Sequence, residues 1–264
     1  MVEGRPHAHY GALRQEYERI GERAPMYLSC NSASHERLRG QGAFATLGNE
    51  LYRRTKAANP DTLGFIGVPN RAALAPRLKR LGWTILRTLP LRLSLAWPLG
   101  RPRHAMHRWN TEFGESVTFA ELVSRIDFTP SAAWRQRWDH DLLRWRLSNP
   151  LFRYTLHVGA DAVLVATSQR RKGVPVAIVT KSFRLDGDGK ANARALIDDV
   201  ARTHRTPFVV YAGFNDQVEI GGIVVPERLR PSPLTLGYAP QSVDLRENPA
   251  IQIGCFEFFD FDLF

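Results

Sequence analysis

A glycine-rich turn between a strand-like run and a helix-like run constrains this chain more than any other feature. Arg39-Gly40-Gln41-Gly42-Ala43-Phe44 follows an apolar stretch at residues 25–31. It opens a segment, 43–58, in which Phe44, Leu47, Leu51 and Tyr52 recur at helical spacing until Asn59-Pro60 stops it. A helix entered through glycines exposes N–H groups that have no partner inside the helix, together with the positive end of its dipole. Backbone without side chains can approach an anion closely there, and a pyrophosphate fits such a turn. Arg39 adds a cation beside it, and Gln41 is expected to keep a backbone N–H available. A strand-to-helix turn that needs glycine for geometry alone is the competing reading.

The alternation continues. Residues 62–68 read as a strand and 71–81 as a helix with Gly82 at its left-handed C-cap; the chain returns as a strand from Trp83. Residues 10–14 make a short strand before the turn. Between Pro90 and Phe113 the pattern weakens, and prolines with a basic cluster (Arg101, Arg103, His104, His107, Arg108) read as a connection between domains. Helices are expected at 119–126, 132–147 and 191–204. Strands are expected at 154–158, 162–168, 174–183 and 207–212, and the Phe-rich run 251–264 is expected to partner the core. The fold class is therefore α/β (α+β), in two domains of residues 1–112 and 113–264.

Composition excludes several classes. With 44% hydrophobic and 23% charged residues, the chain can build an ordinary packed core. No apolar run has the length of a membrane span, and the first residues carry no signal-peptide core, so a cytoplasmic protein is expected. Cys30 and Cys255 offer neither a disulfide framework nor metal-ligand spacing, and no metal is expected. They read as small buried apolar residues. The net charge of +10 invites a nucleic-acid reading. No zinc finger, RNA-binding aromatic signature or helix-turn-helix accompanies it, and the same field would serve an anionic ligand.

The ordered set of strand, Arg-Gly-x-Gly, helix, strand, Val68-Pro69-Asn70, helix and Leu81-Gly82-Trp83 resembles the GCN5-related N-acetyltransferase superfamily. The resemblance implies two mixed, mostly antiparallel sheets flanked by helices, the first lacking its N-terminal elements. It also implies an acyl-coenzyme A, acetyl-coenzyme A above all, as the cofactor. Arg39, Gly40, Gln41, Gly42, Ala43 and Phe44 would face its pyrophosphate. Ser32, Ala33 and Ser34 would offer backbone to its pantetheine arm, with Asn70 alongside. The alignment Arg37-x-x-Gly40-x-Gly42 also fits the formal motif, but the first places the helix start and the Pro-Asn pair at the usual offsets.

Two departures stand out. Phe44 replaces a small residue, and the tyrosine that serves the family as general acid is replaced. Counted back from Gly82 its position holds Leu78; counted forward from Asn70 it holds Arg77. No catalytic residue is assigned, although His35 and Glu36 stand just before the turn as candidate bases. The stretch with Trp145-Arg146, Pro150 and Tyr154, and the closing Phe-Asp-Phe-Asp, resemble the second repeat of tandem acetyltransferase-like proteins associated with bacterial surface-polysaccharide genes. That implies a degenerate second copy without a coenzyme A turn, and an amino sugar or other small amine as acceptor. The expected activity is N-acylation of an amine; the alternative is an inactive pseudoenzyme or binding module. Of the remaining polar and aromatic candidates, Trp134, Trp138 and Trp145 share one face of the helix expected at 132–147 and read as core. Asp139 and Asp141 point apart, and Asp260 and Asp262 read as solvated or turn-side acids.

Overall fold

The residues before the glycine turn form one long antiparallel hairpin rather than two short strands. In the computed structural model, which describes residues 7–38, 41–187, 189–230, 232–241 and 251–261, the hairpin comprises β1 (Ala8–Arg19) and β2 (Glu22–Ser34), joined at Gly21. There follow α1 (Ala43–Ala58), β3 (Gly64–Gly67), α2 (Arg71–Arg80), β4 (Thr84–Thr88), β5 (Leu91–Leu95), β6 (Ala105–Arg108), α3 (Thr111–Gly114) and α4 (Val117–Ser124). Next come β7 (Arg135–Gln136), α5 (His140–Leu147), β8 (Thr155–Val158), β9 (Ala162–Arg171), β10 (Val174–Arg184) and β11 (Ala191–Asn192). The chain closes with α6 (Arg194–His204), β12 (Phe208–Asn215), β13 (Val218–Glu219), β14 (Ile223–Val224), β15 (Thr235–Pro240) and β16 (Cys255–Glu257). No helix among the described residues is long and apolar enough to cross a membrane.

Two compact units emerge, and neither is continuous in sequence. The first takes the described residues of 1–89, 130–137 and 230–253; the second takes 90–129, 138–229 and 254–264. The division expected at 112/113 is corrected accordingly, and strand pairing is the reason. The region read as a connection contains β5 and β6, which pair with β12 and β8 in the second unit's sheet. Late in the chain, β15 enters the first unit's sheet between β3 and β4. The first sheet has the order β4-β15-β3-β2-β1-β7, and the second β14-β5-β12-β10-β9-β8-β6 with β16 added along β12. A lone hydrophobic run in sequence cannot say which sheet will adopt it.

The helix expected at 132–147 is also corrected. Trp134 and β7 are extended along the first unit's sheet, and only His140–Leu147 is helical, capped by the Asp139 carboxylate accepting from Leu142 N at 2.9 Å. The three tryptophans therefore share no helical face. Trp134 and Trp138 are buried in different units, whereas Trp145 is 59% exposed.

Within the second unit, alternate residues of β9 face opposite layers. Leu164 and Ala166 pack with Leu196, Ile197 and Val200 of α6, and Val163 and Val165 pack with Phe119 of α4 and Leu143 and Leu147 of α5. A strand covered on both faces reads as a continuous apolar run, as 162–166 does. In the first unit, Phe65, Leu81, Trp83 and Ala239 form a core against which Tyr10, Phe44, Leu51 and Tyr52 pack.

One arrangement occurs in both units. A β-hairpin (β1–β2, β9–β10) feeds a helix (α1, α6), and the following strand (β3, β12) pairs parallel with the second strand of the hairpin.

Candidate cofactor site

The parallel pairing of β2 with β3 is short. It covers Met26–Leu28 against Gly64–Ile66, and beyond it β2 continues to Ser34 with only β1 beside it. A bulge marks the departure. The register shifts between His9 and Gly11, Asn31 takes a left-handed φ of 48°, and the His9 ring nitrogen Nδ1 lies 2.7 Å from the Asn31 carbonyl oxygen. Asparagine tolerates that conformation, and a bulge bends a strand away from its neighbour. Among the described residues, no strand pairs with the edge of residues 29–34 that faces away from β1.

Next to this edge lies a cavity of about 640 Å³ within the first unit. Of the residues singled out by sequence, Ser32, Ala33, Ser34, Gly42, Ala43, Phe44 and Asn70 line it. Arg39 and Gly40 lie outside the described residues. Gln41 does not line the cavity, and the expectation that its N–H stays available is corrected. That N–H donates to Leu38 O at 3.2 Å, and its side chain donates to Arg37 O at 2.8 Å. The segment from Glu36 to Leu38 is a tight helical turn, and closing it uses the Gln41 amide.

Gly42 is the N-cap of α1 with φ 76°, a conformation costly to any residue with a Cβ. It provides no side-chain cap, and no acidic residue stands in the first turn of the 16-residue helix. The positive end of α1 thus carries none of the usual local compensation. Two cations join it from the other side of the cavity. Lys79 and Arg80 line it, and Arg80 Nη1 stands 3.7 Å from where a Cβ on Gly42 would be. The sequence reading missed this pair because basic residues in a helix's last turn are expected on dipole grounds alone. Asn70 has a structural duty as well, its Oδ1 capping α2 by accepting from Ala73 N at 2.9 Å.

Behind Phe44, whose ring centre lies 5.0 Å from that of Tyr10, runs a hydroxyl chain. Trp83 Nε1 donates to Tyr52 Oη at 2.6 Å, Tyr52 and Tyr10 share a 2.9 Å hydrogen bond, and Ser29 Oγ donates to Tyr10 Oη at 3.2 Å. Burial, with the Tyr10 hydroxyl next, holds the Tyr52 phenol far above its ordinary range, so it remains protonated. His35 and Glu36 are exposed on the turn and do not line the cavity; His35 Nδ1 accepts from Arg37 N at 3.2 Å.

In the second unit the corresponding place is filled. β16 pairs with residues 213–215 of β12, and the turn after it carries Asp260 inward. Lys181 Nζ lies 2.8 Å from Asp260 Oδ2, 3.1 Å from Glu257 Oε2 and 3.3 Å from Cys255 Sγ. Ser182 and Tyr211 donate to Glu257, and Trp138 Nε1 donates to Asp260. Although burial opposes its charge, Asp260, Cys255 and Glu257 hold Lys181 charged well above its usual range. Cys255, Glu257 and Asp260 are close enough together to suit a metal ion. The ammonium sits among all three, so the cluster is neutralised from within. Asp260 is hence a turn-side acid, accepting from Glu257 N at 2.7 Å, but a buried rather than a solvated one, and Cys255 does not sit in apolar surroundings; Asp262 lies outside the described residues.

No protein-family model matches the sequence, and no curated protein matches it. Solved structures do. A GCN5-related N-acetyltransferase from Anabaena variabilis superposes with a TM-score of 0.51 at 10% identity, over 89% of this chain and 60% of that one. The chain has the fold of the GCN5-related N-acetyltransferases. An Enterococcus faecalis protein described as a probable N-acyltransferase superposes with a TM-score of 0.50 at 11% identity, over 89% of this chain and 57% of that one. The chain thus spans about 60% of the length of these structures. The two residues that the alternative counts single out, Arg77 and Leu78, differ in burial. Arg77 points inward and is buried, while Leu78 is partly buried against the core.

Proposed function

We propose that the chain is an acyl-coenzyme A-dependent N-acyltransferase whose acyl donor is held by the first unit. The observation that carries this reading is the cavity at the uncapped N-terminus of α1, where Gly42, Lys79 and Arg80 converge. The residues fit the group by their chemistry. Helix N–H groups and two cations suit a pyrophosphate. The partnerless edge of β2 at Ser32–Ser34 offers peptide groups to an amide-bearing arm in the manner of an added strand. Alanines at 72, 73 and 75 with Phe44 form the apolar wall.

When bound, the donor supplies a thioester carbonyl to an attacking amine. The chain's own part is to position that carbonyl and to exclude water from it. An acetyl group as the acyl unit, and an amino sugar or another small amine as acceptor, are the finer readings that the resemblance implies. The second unit, whose equivalent place is filled by its own side chains, is assigned a supporting role without a cofactor.

Isothermal titration with acetyl-coenzyme A tests the reading. One site per chain is expected, weakened about tenfold by Gly42→Val, which brings a methyl group against the ligand. No heat at millimolar ligand sinks the proposal. Binding without thiol release across a panel of amines would favour a non-catalytic binding module.

A further inference from the structure

Arg77 is the feature of the first unit that packing does not explain. It lies on the inner face of α2, four residues after Ala73, and is only 3% exposed. Its guanidinium carbon stands 4.7 Å from the Trp83 ring centre, 5.5 Å from Tyr10 and 5.8 Å from Phe44. Nε and Nη1 are buried and donate to no acceptor, and among the described residues no carboxylate pairs with the guanidinium. Aromatic faces soften the cost of a buried cation but give its N–H groups nothing to bond. A buried charge left in this state calls for a counter-ion.

Its place says which one. A Cβ on Gly67 would stand 3.7 Å from Arg77 Nη1 and 3.0 Å from the Ser29 carbonyl oxygen. The guanidinium therefore sits where β2 and β3 part, behind Phe44, which lines the cavity whereas Arg77 does not. At the equivalent parting of β10 and β12 in the second unit, the chain's own Glu257 and Asp260 carboxylates meet Lys181. Negative charge is thus supplied at this point by the protein in one unit and, among the described residues, by none in the other. The ring-lined surroundings suit a soft, polarisable sulfur better than a hydrated phosphate.

We propose that Arg77 stabilises the coenzyme A thiolate. The inference rests on the acyl-coenzyme A reading above. In aminolysis of a thioester a C–N bond forms, the C–S bond breaks with its electron pair passing to sulfur, and the amine nitrogen gives up one proton to solvent or a base. Arg77 transfers no proton. From behind the ring of Phe44 its fixed positive charge favours the negative charge that develops on the sulfur, which lets the thiol leave as its anion.

The test needs no acceptor. The thiol of bound coenzyme A is titrated by the ultraviolet absorbance of its thiolate, with desulfo-coenzyme A as the reference that cancels protein tyrosines. In the native chain the bound thiol is expected to ionise at least about one pH unit below free coenzyme A, the usual effect of a close opposite charge. Arg77→Gln removes most of that shift and Arg77→Lys retains it in part. Arg77→Met, which keeps the volume, replaces the glutamine variant if that one does not fold. A bound thiol that titrates like the free one, or a shift that survives loss of the charge, overturns the role of Arg77 and leaves the acyl-coenzyme A reading standing. Failure of coenzyme A to bind at all overturns both.

Discussion

The two units share a hairpin, a crossover helix and a parallel strand, yet they treat the gap at the ends of their parallel strands in opposite ways. In the second unit the gap is closed by β16 and its following turn, and the buried Lys181 is neutralised by Glu257 and Asp260. In the first unit β2 bulges away at Asn31, a cavity opens beside it, and the buried Arg77 has no counter-ion among the described residues. The same topology therefore yields a self-satisfied core in one case and an unsatisfied site in the other. A charge satisfied internally is structure, whereas one left unsatisfied is a place for a ligand.

Removing the cation from each gap should separate the two most sharply. Lys181→Met leaves two buried carboxylates without their cation and is expected to destabilise the second unit by about 3–5 kcal/mol. Arg77→Met removes an unpaired charge along with its ring contacts, and is expected to change stability by less than about 1 kcal/mol. Urea denaturation of the two variants beside the native chain measures both; equal losses would erase the distinction.

Acid should act next, and through the second unit. Thr155 Oγ1 lies 3.0 Å from Nε2 of both His157 and His204. Burial, with His204 next, lowers His157 to about 3, and burial, with Arg108 next, lowers His204 to about 4. Both are neutral in the folded chain, while in the unfolded chain they take up protons below about pH 6.5. Stability attributable to them is complete above pH 6.5 and is lost progressively as pH falls toward 4. Thermal melts between pH 7 and pH 4 should show the decline, and replacing both histidines by glutamine should flatten it.

A smaller effect is expected at the helix entrances. Gly42→Ala places a Cβ in the left-handed region at a cost of about 1 kcal/mol and should weaken coenzyme A binding. Arg194→Ala, at the first turn of α6, should leave binding unchanged; titration calorimetry distinguishes them. The smallest effect is that of Asn70→Ala, which removes the cap of α2 and should cost about 1 kcal/mol or less in denaturation.

Much of the first unit was legible because its signals are local. The helix at 43–58 follows from apolar spacing and its Asn-Pro stop, and α2 from Asn70 as cap and Gly82 after its end. The placement of Ser32–Ser34, Gly42–Phe44 and Asn70 around one cavity follows from those elements. What stayed hidden is non-local. Nothing near Thr235 announces that β15 will enter a sheet begun two hundred residues earlier, nor near Leu91 that β5 will leave for another. That Asp260 is buried stayed hidden because its partner, Lys181, lies on a distant strand. Arg77 carried a faint signal, a cation on the Ala73–Arg77–Leu81 stripe that the helix turns inward, but only the rings around it show that it is unpaired.

The central claim is that the first unit holds the acyl donor and the second does not. A crystal structure of the chain soaked with coenzyme A tests it most directly. The account predicts a pyrophosphate against the α1 N-terminus beside Lys79 and Arg80, and no coenzyme A in the second unit. Coenzyme A bound at α6, with the cavity beside Gly42 left without it, would contradict the account.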